Sequence, residues 1–76
     1  MKIYDILKNK NNKIIGYIYY SGKGQSLKDK NNNLIAMWDR NDNITRNLNG
    51  KIVGYGNVLS SFIDLDTGNI IKKYTI

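Results

Sequence analysis

The 76-residue sequence contains no cysteine, histidine, glutamate or proline, and these absences narrow what the chain can be. Without cysteine, no disulfide framework of the kind found in small secreted domains can form. Without cysteine and histidine, a structural zinc site lacks its usual ligands. The six acidic residues are all aspartates, so the groups that most often carry acid–base catalysis near neutral pH are missing. We therefore expect no enzymatic activity, no cofactor and no metal site.

Long hydrophobic runs are also absent. Nothing approaches the roughly 20 apolar residues of a membrane-spanning helix. Asp5 and Lys8 interrupt the apolar residues that follow Met1, so no signal peptide is predicted. These features predict a cytoplasmic protein that does not contact a membrane. The hydrophobic content of 41% suffices for one small core, in a single domain over residues 1–76.

Positive charge is in excess, with 12 lysines and arginines giving a formal net charge of +6. Such a balance favours loose attraction to polyanions such as nucleic acids. Lysines at turns and strand edges also discourage sheets from pairing edge to edge. The chain is rich in asparagine and isoleucine as well as lysine, which is typical of a biased genome composition. The charge alone does not choose between these interpretations.

Four segments of the chain share one pattern, in which a polar turn is followed by two residues suited to a strand. The first apolar residue after each turn serves as an anchor, and the residue two positions earlier is always Asn or Gly. Asn and Gly adopt positive φ at low cost, as tight hairpin turns require. The anchors are Ile14, Leu34, Ile52 and Ile70, and the turn residues are Asn12, Asn32, Gly50 and Gly68.

The pattern predicts an all-β protein, an antiparallel meander of eight strands in four hairpin repeats. No segment keeps the 3.6-residue period of an amphipathic helix, so no helix is expected. The predicted strands lie near 2–8, 13–20, 24–28, 33–39, 43–47, 51–56, 58–65 and 69–75. They form hairpin units at about 2–20, 24–39, 43–56 and 58–75.

A small residue lies two positions after the anchor in three of the units: Gly16, Ala36 and Gly54. Glycine inside a strand usually marks a bend or a close approach of another backbone. We therefore expect the hairpins to meet at a crowded centre, with pseudo-fourfold, barrel-like or flower-like closure that protects the sheet edges. Lys72 breaks the pattern in the last unit.

The four tandem units, each with a core such as "NNKII" or "NGKIV", resemble the 4-fold beta flower family of small bacterial β-hairpin-repeat proteins. The resemblance covers nearly the whole chain. It implies a fold with pseudo-fourfold symmetry and no established activity, and it supplies no catalytic residues to transfer. Lys72 departs from the repeat, which puts the equivalence of the fourth unit in question.

One segment, Asp64 to Asn69, begins like a calcium-binding loop. The twelfth position of such a loop carries an acidic ligand, and here it is Thr75. The aspartates are better interpreted as residues that shape turns.

Aromatic residues form the most suggestive set for binding. Tyr and Trp are enriched at the centres of protein interfaces, and aromatic rings beside cations also bind single-stranded nucleic acids. Tyr is equally common on ordinary sheet faces. The candidate binding surface comprises Lys13, Tyr17, Tyr19, Tyr20, Trp38, Arg40 and Tyr55.

From this set we predict a small non-catalytic binding or structural module that acts through protein association, with a protein partner or as a homo-oligomer. The alternative is weak, salt-sensitive binding of single-stranded nucleic acid through a basic, tyrosine-rich surface. The sequence indicates no small-molecule ligand.

Overall fold

The computed structural model describes residues 2–64 and 66–71. Six antiparallel strands form one sheet, and each strand pairs with the next along the chain. The meander is thereby confirmed for the first six predicted strands, whose bounds agree to within one residue. The strands are β1 (Ile3–Lys8), β2 (Ile14–Tyr20), β3 (Gly24–Asp29), β4 (Leu34–Asp39), β5 (Ile44–Asn47) and β6 (Ile52–Tyr55).

The last quarter of the chain differs from the prediction. Leu59–Phe62 form a short 3₁₀ helix where a strand over 58–65 was expected, and that prediction is wrong there. An isolated bridge between Ile63 and Ile70 follows. The predicted strand over 69–75 lies largely outside the described residues. Within the described part, the sheet is open with β1 and β6 at its edges, and it shows neither eight strands, four complete hairpins nor fourfold closure.

Local hydrogen bonds and burial explain the 3₁₀ helix. The Asn57 side chain accepts a bond from the backbone N–H of Leu59 at 3.2 Å, which starts a turn rather than a strand. Leu59 and Phe62 are both fully buried. Residues three apart lie on the same side of a 3₁₀ helix, whereas a strand would place them on opposite faces. The helical turn therefore buries two large side chains that a strand would separate.

The four repeat turns do share one construction. Each begins with an Asn or Asp whose side-chain Oδ1 accepts bonds from backbone N–H groups two and three or four residues later. Each also contains a residue at positive φ, as the sequence predicted: Asn12, Asn32, Gly50 and Gly68. The leading residues are Asn9, Asp29, Asn47 and Asp64.

The fourth turn lies beside the others. Lys10 of the first turn and Asp66 of the fourth form an ion pair at 3.9 Å. A small cleft between the second and fourth turns is lined by Asp29 and Gly68, among others. In a meander, alternate connections lie at the same end of the sheet, so the first three turns already share that end. All four repeat turns therefore gather at one end of the molecule.

A β-bulge occurs at the same position in each of the first three units, directly after the anchor. The register shifts there leave Ile15, Ile35 and Val53 as the extra residues. A bulge redirects the side chains around it. Ile15 and Ile35 are consequently buried, although regular alternation would place them on the opposite face from the equally buried Ile18 and Ala36.

The core lies between the inner face of the sheet and the segment that follows β6. Its buried apolar residues include Leu7, Leu27 and Phe62, each two positions before the leading residue of a repeat turn. The corresponding residue in the third unit is Thr45, which is also fully buried. Its hydroxyl donates to the Gly56 carbonyl at 2.7 Å and accepts from the Val58 N–H at 3.2 Å. Thr45 thus holds the end of β6 against the core.

Crowding at the small residues has separate local causes. A Cβ on Gly16 would lie 2.8 Å from both the Ile63 Cδ1 atom and the Lys28 carbonyl oxygen. A Cβ on Gly54 would lie 2.8 Å from a methyl group of Val58. Each glycine is therefore crowded by its own neighbours, and the described residues do not show the single shared centre that was predicted.

Candidate binding surface

The face of the sheet opposite the core carries a continuous row of paired residues that crosses all six strands. We call this the outer face. Strand pairing aligns Ile3, Tyr19, Ser26, Met37, Arg46 and Ile52 in order from β1 to β6. On either side of this row, Ile6 pairs with Tyr17, and Ile44 pairs with Tyr55.

Much of the outer face is both apolar and exposed. Met37 and Ile52 are each 44% exposed, and Tyr55 is 79% exposed. Ile14 also points outward, since it pairs with Lys8 on the side away from the buried Leu7. Single exposed hydrophobic residues are ordinary on protein surfaces, whereas a concentration of them on one face favours an interaction site.

Two of the predicted tyrosines form a cluster with a lysine on this face. The rings of Tyr17 and Tyr19 lie 6.0 Å apart, centroid to centroid, at an interplanar angle of 37°. The Lys28 ammonium group lies 5.3 Å from the Tyr19 ring centroid, within the range of a cation–π interaction. This arrangement of rings and cation suits either a protein surface or an unstacked base.

Tyr20 and Trp38 lie on the other side of the sheet. Tyr20 packs edge-to-face against Tyr4, with centroids 5.3 Å apart. Trp38 is half-buried against the core, and its indole N–H donates to the Asn43 side-chain oxygen at 2.9 Å. The structure therefore does not bring these two rings together with Tyr17, Tyr19 and Tyr55.

The two predicted cations, Lys13 and Arg40, are separated from each other. Lys13 lies in the first repeat turn, where its backbone N–H donates to the Asn9 side chain. Arg40 lies at the opposite end of the sheet, where its guanidinium donates to the Gly22 carbonyl at 2.7 Å. Arg40 thereby ties the connection after β4 to the connection after β2.

Residue types alone did not reveal several outer-face residues. Lys28, Met37 and Arg46 join the face because their strands pair in register with β2 and with each other. The sequence feature that could have placed these residues on the outer face is the alternation of side chains within each strand. The bulge next to each anchor shifts that alternation, which is why both faces looked apolar in the sequence.

Two aspartates have pKa values below the usual range. For Asp42, the hydrogen bond from the Arg46 guanidinium, 2.9 Å away, is the main cause of the lowered pKa. For Asp29, partial desolvation acts to raise the pKa, but hydrogen bonds from the Asn33 backbone and side chain and from the Asn31 N–H outweigh it. Asp29 is therefore engaged in shaping its turn.

The arrangement of acidic side chains in residues 2–64 and 66–71 does not form a metal site. No group of three or more potential acidic, histidine or cysteine ligands occurs in these segments. The Asp64 side chain, at the start of the calcium-like sequence, accepts backbone bonds from Asp66 and Thr67. The described residues contain no helix with the length and hydrophobicity that a membrane span requires.

No family model, no curated protein and no solved structure matches this chain. The resemblance to the 4-fold beta flower family accordingly stays a prediction from the sequence.

Proposed function

We propose that the protein is a small non-catalytic module that associates with another protein surface through its outer face, and that a second copy of the chain is the partner. The observation that supports this most is the distribution of exposed hydrophobic residues. Of the nine large hydrophobic side chains that are strongly exposed in the described residues, six lie on the outer face. They are Ile3, Ile6, Ile14, Met37, Ile52 and Tyr55.

Association is favoured because one face of this open sheet is covered by the core, whereas the other is exposed to solvent. Small domains bury a modest fraction of their surface, so covering a second apolar face adds stability that the isolated chain lacks. Two sheets pack face to face at a separation of about 10 Å. The outer face presents the aromatic and methionine side chains that interface centres favour.

The experiment measures molar mass by light scattering and sedimentation velocity across micromolar concentrations. Met37→Lys places a charge in the centre of the outer face and is expected to abolish association. Leu48→Lys is the matched control, because Leu48 is 60% exposed but lies in the third repeat turn. A monomer throughout would contradict self-association, and equal effects of the two variants would contradict the outer face as the contact.

The second candidate function is weak binding of single-stranded nucleic acid, which the Tyr17, Tyr19 and Lys28 cluster favours. Salt separates the two proposals. Nucleic-acid binding weakens as salt rises, because phosphate contacts release counterions. Association of two copies that each carry +6 should strengthen instead, because salt screens their repulsion. Labelled oligonucleotides that stay unbound at low salt would exclude the alternative.

For the fold, we propose a pseudo-fourfold arrangement of the kind implied by the 4-fold beta flower resemblance, in a cytoplasmic protein. Four turns of one construction at one end of the molecule support the arrangement. Closure would protect the edge of β1 that faces away from β2. Amide hydrogen exchange along Ile3–Lys8 provides the test, because an open edge leaves alternate amides in fast exchange.

A further inference from the structure

A second feature, separate from the outer face, lies on the inner side of the sheet next to the 3₁₀ helix. It is a pocket of about 310 Å³ lined by Tyr4, Asp5, Ile18, Gln25, Asn57 and Ser60. Consecutive strand residues normally point to opposite faces. Tyr4 and Asp5 both line the pocket because the register shift between Ile3 and Asp5 makes Tyr4 a bulge residue.

Gln25 provides a fixed donor in this pocket. It is only 8% exposed, and its Oε1 accepts a bond from the Asn57 Nδ2 group at 2.7 Å. Asn57 is held in turn, since its own oxygen accepts from the Leu59 N–H. With Oε1 engaged, the NH₂ group is the part of the Gln25 amide left to donate to a ligand. No buried side-chain nitrogen or oxygen in the described part lacks a partner, so this NH₂ group retains access to solvent.

Asp5 provides an acceptor that the fold does not use. Among the described residues, its carboxylate takes part in no hydrogen bond or ion pair, and the same holds for the Ser60 hydroxyl. Asp5 also shares the inner face with the buried Ile18, which is its cross-strand partner. The Asp5 side chain is exposed, so its carboxylate is solvated and open to a ligand.

We propose that this pocket binds one sugar ring. A carboxylate only accepts hydrogen bonds, an amide NH₂ group only donates them, and a hydroxyl does both. Neighbouring hydroxyl groups of a sugar both donate and accept, so one ring satisfies Asp5, Gln25 and Ser60 together. Tyr4 lines the pocket and packs edge-to-face against Tyr20, so its ring provides an aromatic wall for the apolar side of the sugar. The volume is at the lower end for ligand pockets and suits a single ring.

A small cation is the competing occupant, because Asp5 alone would attract it. An ammonium group, however, has only donors. It would pair with the carboxylate but would face the Gln25 NH₂ group donor to donor. With its oxygen engaged by Asn57, Gln25 can only donate, which favours a hydroxylated ligand over a cationic one.

The test follows backbone amide signals by ¹⁵N NMR during titration with glucose, galactose, mannose and N-acetylglucosamine. Separate titrations use methylammonium, which represents a small cation, and guanosine, which represents a nucleoside. At least one sugar is expected to shift the signals of residues 4–5, 25 and 57–60 at millimolar concentration. Asp5→Asn should weaken that binding about tenfold, because a neutral acceptor replaces a charged one and one acceptor oxygen becomes a donor. It should leave thermal stability unchanged, since Asp5 has no partner in the fold.

Asp66→Asn is the matched control, because Asp66 is an exposed aspartate at the repeat-turn end. It should not change sugar binding. The proposal is overturned if none of the sugars shifts these signals, or if Asp5→Asn and Asp66→Asn bind a sugar equally well. It is also overturned if methylammonium or guanosine shifts the same signals and the sugars do not. Sugar binding would stand even if the chain proved monomeric, because the outer face takes no part in it.

Discussion

Gly24 and Gly22 lie two residues apart, but substitution by alanine should affect the stability of the protein at only one of them. A Cβ on Gly24 would overlap the backbone carbonyl of Trp38 on the neighbouring strand. A Cβ on Gly22 meets nothing within 4 Å, and neither glycine has the positive φ that strains other residues. Gly24→Ala should therefore destabilise the protein strongly, and Gly22→Ala should be tolerated.

The expected cost at Gly24 follows from the bonds around it. A backbone oxygen cannot turn aside as a flexible side chain can, so relief requires β3 and β4 to move apart. That movement stretches the bond from the Arg40 N–H to the Lys23 carbonyl, now 2.9 Å, and disturbs the reciprocal bonds between Ser21 and Gly24. Each bond contributes about 1 kcal/mol, and overpacking typically costs about 1–3 kcal/mol. We expect a loss of about 2–4 kcal/mol.

Thermal and urea unfolding compare the midpoint and the free energy of unfolding of both variants with those of the unsubstituted protein. In a domain of this size, each kcal/mol shifts the midpoint by about 4–8 °C, so Gly24→Ala should lower it by roughly 10–30 °C. Gly22→Ala should stay within about 0.5 kcal/mol, or stabilise slightly, because alanine restricts the unfolded chain. Equal midpoints for the two variants would refute the close approach of the Trp38 carbonyl to β3.

Three further predictions concern turns and packing. Asn47→Ala should lower the free energy of unfolding, measured in urea, by about 1–3 kcal/mol. The Asn47 side chain is only 2% exposed and accepts bonds from two backbone N–H groups, which the substitution removes. Asn9→Ala, in a more exposed turn, should cost less. Because the pKa of Asp29 is lowered in the folded protein, its carboxylate stabilises the fold at pH values above its pKa in the unfolded chain, near 3.9. This stability is lost as the pH falls through the lower pKa of the folded state. Asp29→Asn, which copies the equivalent residue of two other turns, should therefore flatten the loss of stability in acid. Gly54→Val should cost about 1–3 kcal/mol, with part restored by adding Val58→Ala, and absence of that coupling would contradict the packing.

The sequence predicts the first six strands well because the signals at their ends are local. An Asn or Gly at positive φ fixes the type of each repeat turn, whatever packs against it. The leading residue of each turn, such as Asn9 or Asp29, was a second local signal that composition alone did not reveal. Both act over four or five residues, so tertiary contacts have little opportunity to override them.

The segment after β6 was predicted poorly because its structure depends on distant residues. The Val58 N–H bonds to the Thr45 hydroxyl, and Leu59 and Phe62 are buried against strands far away in the sequence. Isolated from these contacts, the stretch has ordinary strand propensity. Two sequence features are compatible with a helical turn here: the three-residue spacing of Leu59 and Phe62, and the Asn57 that precedes them.

The candidate site was predicted only in part, for a geometric reason that also bears on function. The bulge in each of the first three units turns one residue of an apolar pair inward and leaves the other outward: Ile15 is buried, whereas Ile14 is 40% exposed. The core therefore requires only the second member of the pair. Strand propensity accounts for isoleucine at the anchor position, but it does not account for Leu34. If the anchors only faced solvent, threonine would have the same strand propensity without exposing an apolar side chain. An apolar residue at the outward position in each of the first three units supports the proposal that a partner covers the outer face.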